Sequence, residues 1–200
     1  MTLSVIYALG VTRWEPNAGG RLEEAALELF GEHGYDQTTI EDIATRAGVT
    51  KRTFFRHYAD KREVLFGGGD AFQRFFVESL AAAPAAATPL EAVAVALDAV
   101  AGAFADRHEH SARRHRIIAA SAELRERELV KLAAVATALA AALRERGVPE
   151  PVAGLTAETA VVVFRSAYDR WATADGDEAL PALIREALTA LQALTAAPGS

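Results

Sequence analysis

The chain of 200 residues contains no cysteine, which removes thiolate metal sites, redox pairs, disulfide staples and a thiol nucleophile together. Lysine is scarce: Lys51, Lys61 and Lys131 are three of 21 basic residues, the rest being arginine. No stretch reaches the ~18 uninterrupted apolar residues of a membrane helix, so no membrane partner is expected. Residues 3–11 are apolar but short, and no basic residues precede them. A secretory signal is therefore not expected; the expectation is a cytoplasmic protein, with residues 1–15 as a flexible tail or a start assigned too early. HExxH, GxSxG, a glycine-rich phosphate loop and an outstanding carboxylate pair are all missing, so neither an enzyme nor a cofactor is implied. The net charge of −6 gives no global attraction for nucleic acid; any such binding must come from a local patch.

What is present is a packed-protein composition, 51% hydrophobic and 24% charged, which excludes disorder. Breaks are sparse: Pro16 to Gly20, the glycines 31, 34 and 48, Gly67-Gly68-Gly69, the Ala-rich connector between Pro84 and Pro89, residues 147–151, and Asp175-Gly176-Asp177. Between them the apolar residues recur at three and four, with no strand alternation and no repeat. The expected class is all-α, with about nine helices.

Residues 21–30 read as an amphipathic helix with Leu22, Ala25, Ala26, Leu29 and Phe30 on one face and glutamates opposite. Gly34 suits a left-handed C-terminal position. Thr38 or Thr39 caps a short helix whose inner edge is Ile40, Ile43, Ala44 and Ala47. Gly48-Val49 turns the chain, and Thr50 caps a third helix through Tyr58. Two short helices about a glycine turn make the helix-turn-helix pattern.

The charge reverses here. Residues 43–62 hold Arg46, Lys51, Arg52, Arg56, Lys61 and Arg62 against Asp60 alone, a local charge of +5 in an acidic chain. Helical phase turns Phe54 and Tyr58 inward and Arg52 and Arg56 outward. Hydroxyls and cations at the start of this helix, Thr50 to Thr53, attract phosphate, and Arg or Lys on its outer face can reach guanine edges in a major groove. Lys61, opening a fourth helix expected over 60–80, could meet a phosphate; three glycines should weaken that helix at 67–69.

At "TTIEDIATRAGVTKRTFFRHYADKREVLF" the chain resembles the TetR family of bacterial transcriptional regulators. The resemblance implies a DNA-binding domain over 16–76 and a helical effector-binding and dimerisation domain over 77–200. It implies backbone contacts from Thr38 or Thr39 and reading by Thr50, Lys51, Arg52 and Thr53. Phe55, Arg56 and His57 would flank the groove, Arg46 would join the basic surface, and Lys61 would clamp phosphate. Phe55 departs from the family, which commonly has Tyr there, so a phosphate-bonding hydroxyl is missing.

Further helices are expected over 90–107, 111–120, 124–146, 156–174 and 178–196. The block from His110 to Gly147 resembles the body of the mycofactocin-system regulators within that family. Broad apolar faces on the last two helices suit a homodimer, which is also how the family pairs. The family's small-molecule pocket would draw on Phe104, His108, Phe164, Arg165, Tyr168 and Trp171. The basic cluster of 107–110 and 113–116 reads as a solvated connector, with an anionic head-group site as the alternative. A metal site on His108, His110 and His115 is disfavoured by the surrounding arginines. The expected function is a repressor released from double-stranded operator DNA by an effector; the alternatives are a helical interaction protein and a ligand-free activator.

Overall fold

The computed structural model describes residues 18–174 and 178–195. The tail expected over 1–15 and the turn at 175–177 lie outside these. Among the described residues there are nine α-helices and one 3-10 turn, and no strand.

The chain forms two compact units. The first comprises residues 18–72 and Glu109–Lys131; the second comprises Gln73–His108 and the described chain from Leu132. Compactness therefore groups 109–131 with the N-terminal residues, which a single cut at 76 does not anticipate. The reason is apolar: Ile117, Ile118 and Leu124 are buried in the same cluster as Leu22, Leu27, Ile43 and Phe54.

In the first unit, α1 (Ala18–His33), α2 (Ile40–Arg46) and α3 (Lys51–His57) pack mutually, and the 3-10 turn Arg62–Leu65 packs on α1. Leu22, Ala25, Ala26, Leu29 and Phe30 are buried as the periodicity requires. Gly34 has φ 82° and Gly48 φ 65°, the left-handed geometry that lets each helix stop and turn. Thr39 caps α2 and completes a reciprocal box with Asp42; its hydroxyl accepts from the Asp42 amide at 3.1 Å. This bonding holds the Asp42 carboxyl below its usual range.

The fourth helix departs from expectation. A 3-10 turn occupies Arg62–Leu65, and α4 begins only at Gly69 and runs to Ala81. Gly67 passes close to a ring: a Cβ there would lie 2.7 Å from Tyr58 Cε1, so a larger residue would force the ring or the chain to shift.

In the second unit, α5 (Pro89–Gly102), α8 (Val152–Thr173) and α9 (Leu180–Thr195) pack against one another. α5 stops at Gly102, five residues before the expected end at 107, with Thr88 and Glu91 forming its N-terminal box. Arg146 donates to the carbonyls of Ala83 (3.1 Å) and Pro84 (2.7 Å), satisfying the chain just beyond α4. The remaining helices, α6 (His108–Ala120) and α7 (Ala122–Glu145), follow closely in sequence.

Candidate nucleic-acid interface

The candidate reading helix is α3, and its sequence fixes which side faces in. Phe54 is fully buried, with its ring 5.8 Å from that of half-buried Tyr58. Burying a Phe side chain contributes about 2–3 kcal/mol, enough to set the rotation of a helix this short. Tyr58 donates its phenol to the Gly19 carbonyl at 3.2 Å, and burial pushes its pKa up to about 12. Thr50 caps α3 by accepting from the Thr53 amide at 3.2 Å, and the two hydroxyls lie 3.1 Å apart. With that face anchored, Lys51, Arg52, Phe55, Arg56 and His57 are exposed and Thr53 is half-exposed. Phe55 is 49% exposed, unusual for its size, and its ring meets Phe54 edge-on.

The expected positive surface is only partly free. Arg52 and Arg56 have no ion-pair partner among the described residues. Lys51 pairs with Glu41 of α2, across the turn. Arg46 binds Glu28 and Glu32 of α1, at 2.9 Å each. The Arg46 guanidinium holds the Glu32 carboxyl below its usual value. These partners lie ten to eighteen residues away, beyond what local spacing can reveal.

Two expected contacts turn inward. Thr38 is 2% exposed, and its hydroxyl donates to the Gly34 carbonyl at 2.9 Å; it stabilises the turn, and Thr39 alone is the exposed cap. Lys61 donates to the carbonyls of Tyr35 (2.7 Å) and Thr38 (3.0 Å), with its ammonium 4.0 Å from the centre of the Tyr35 ring. Its stem is half-buried and its charge is engaged within the head. Tyr35 in turn donates to Glu123, and burial and that carboxylate raise the phenol's pKa.

The second basic run also serves the first unit internally. Arg113 pairs with Glu24 (2.8 Å) and His110 lies 3.3 Å from Glu23. Arg114 donates to the Leu65 carbonyl at 2.9 Å and lies over the Phe66 ring. The run is therefore an attachment strip, not a solvated connector, because α1 and the 3-10 turn offer it carboxylates, a carbonyl and a ring.

In the second unit, five of the six effector candidates come together. Phe104 lies 5.6 Å from Tyr168 and 6.1 Å from Trp171, ring centre to ring centre; Phe164 stacks on Tyr168 at 5.6 Å. His108 donates Nε2–H to the Trp171 carbonyl at 2.9 Å, with its ring edge-on to the indole. Phe164, Tyr168 and Trp171 are buried in this mutually packed cluster. Arg165 is exposed and does not join it.

Residues 22–66 match the family model described as bacterial regulatory proteins, tetR family. The regulator TcmR of Streptomyces glaucescens is 40% identical over 106 residues, 48% of this chain and 47% of its own. The mycofactocin biosynthesis regulator MftR of Mycobacterium tuberculosis is 41% identical over 46 residues, 23% of each chain. The chain thus spans about half or less of the length of these curated relatives. Among solved structures, FadR of Bacillus subtilis in complex with stearoyl-CoA superposes with TM-score 0.59 at 22% identity, covering 86% of this chain and 96% of that one. At that identity the likeness is one of fold.

Proposed function

We propose, from a head whose residues 22–66 match the tetR family of bacterial regulatory proteins, that this chain is a sequence-specific DNA-binding repressor released from its operator by a small molecule. The observation that carries the reading is α3: a capped helix anchored by Phe54, presenting Arg52 and Arg56 outward without a carboxylate partner among the described residues. Arg52 reads a base edge, while Thr39, Thr53, Arg56 and His57 contact the backbone beside it. Phe55 packs against sugar or a thymine methyl. The reading domain covers 16–76, with 109–131 completing its core, and the chain acts in the cytoplasm, where its DNA is.

One short helix makes too few contacts for operator affinity, so the working form is a homodimer. Its interface uses the outward sides of α8 and α9, where Val152, Leu155, Val162 and Leu194 are exposed. A two-fold axis then sets the heads about one helical turn (~34–36 Å) or a multiple of it apart. The effector is an apolar molecule that parts the aromatic cluster of Phe104, Phe164, Tyr168 and Trp171. It releases DNA only if it prefers one arrangement of the heads over the other.

Genomic DNA fragments retained by the purified chain, then footprinted, test this. The expected result is an enriched sequence with two related half-sites. Retention with no enriched sequence across a salt series would refute the reading.

A further inference from the structure

The cations of the head are not equally available, and the difference follows the turn between α2 and α3. Among the described residues Arg52 and Arg56 have no carboxylate partner, while Lys51, one residue before Arg52, is tied to Glu41. Both side chains of that pair are about half exposed, 52% for Lys51 and 60% for Glu41. The pair therefore lies on the same surface that presents α3. An exposed pair of this kind adds little to folding stability. Its effect falls on whatever approaches that surface.

Sequence-independent affinity for DNA comes from cations that displace counterions from phosphates. A phosphate approaching Lys51 must either draw the ammonium from Glu41 or accept a carboxylate beside it. We infer that Glu41 is a specificity-determining residue: by engaging Lys51 it suppresses binding to arbitrary duplex DNA and leaves recognition to Arg52. This rests on the DNA-binding reading above and adds a residue to it. Glu41 does not read a base; it acts through Lys51. The hydrogen bond from Lys51 lowers the pKa of the Glu41 carboxyl, which is ionised at neutral pH with or without it.

The test measures affinity of the intact chain for a labelled random-sequence duplex across a KCl series. It compares wild type, Glu41→Gln, Lys51→Gln and the double variant. Glu41→Gln is expected to bind several-fold more tightly at low salt. Its plot of log affinity against log salt should steepen by about 0.9 per head, the value of one additional phosphate. Between 50 and 200 mM salt it then loses about 3.5-fold more affinity per head than wild type. On the Lys51→Gln background the same change should leave the slope alone. A duplex selected for tight binding should gain less from Glu41→Gln than the random one does.

An unchanged slope for Glu41→Gln, or an equal steepening on the Lys51→Gln background, would overturn the inference; the second result would mean simple removal of a negative charge. A wild type that binds neither random nor selected duplex at any salt would bring down the regulator reading, and Glu41 with it. A wild type that binds both, with Glu41→Gln indistinguishable from it, would bring down the role of Glu41 alone.

Discussion

Replacing Lys61 by methionine separates two roles that a lysine at this point can play. Methionine keeps much of the apolar stem and removes the ammonium. The structure gives that ammonium two carbonyl acceptors, Tyr35 at 2.7 Å and Thr38 at 3.0 Å, and a ring face at 4.0 Å. Hydrogen bonds from a charged donor contribute about 1.5–3 kcal/mol each when buried. Half exposure cuts that to about 1 kcal/mol for each of the two bonds. With about 0.5 kcal/mol for the ring contact, the expected loss is about 2–3 kcal/mol. For a chain of this size that lowers Tm by roughly 5–10 °C in a calorimetric scan. Since the charge is engaged inside the head, the salt dependence of DNA binding by the folded variant should match wild type. The opposite pattern, an unchanged Tm with a slope shallower by about 0.9, would place the ammonium on a phosphate and refute the reasoning.

Other expectations follow from single contacts. Gly67→Ala drives a Cβ to 2.7 Å from Tyr58 Cε1, whereas Gly68→Ala meets nothing within 4 Å. Thermal scans should show Gly67→Ala destabilised by about 1–3 kcal/mol and Gly68→Ala not. Arg52→Ala should cost about 1–3 kcal/mol on the selected duplex and relax base preference at one position in a competition assay. Leu155, 67% exposed on α8, tests the dimer: Leu155→Asp should shift the mass seen by sedimentation toward the monomer while leaving helicity by circular dichroism unchanged. The pH profile has two ends. Asp60 is held low by its bond from Arg62 and Glu32 by Arg46, so their contributions are present above the ordinary carboxylate range and vanish as pH falls through the lowered values. Tyr58, raised to about 12 by burial, contributes fully below the ordinary tyrosine range, near pH 10, and loses its contribution as pH climbs toward its own value. A Tm that stays flat as pH falls from neutrality to about 3 would contradict the acid side.

The helices were legible because their signals are local. The buried face of α1, the caps Thr39 and Thr50, the left-handed Gly34 and Gly48, and the inward pair Phe54 and Tyr58 all follow from spacing within a few residues. The helix α3 and its exposed arginines were legible for the same reason. What was not legible involves partners distant in sequence. Nothing near Lys61 announces that the carbonyls of Tyr35 and Thr38 lie within reach, and nothing near Arg113 announces Glu24, 89 residues away. The acidic face of α1 could have raised the question of Arg46, since Glu28 and Glu32 are four apart and share one side. At 67–69 three glycines say only that helix is costly; the Tyr58 ring that crowds position 67 is a tertiary fact.

Ile117, Ile118 and Leu124 complete a core begun a hundred residues earlier. A fragment ending at 76 would therefore lack three side chains of that buried cluster, and would be prone to clump. Anyone grafting this head onto another body would have to transplant two stretches of chain, and a protease nick between them need not release either.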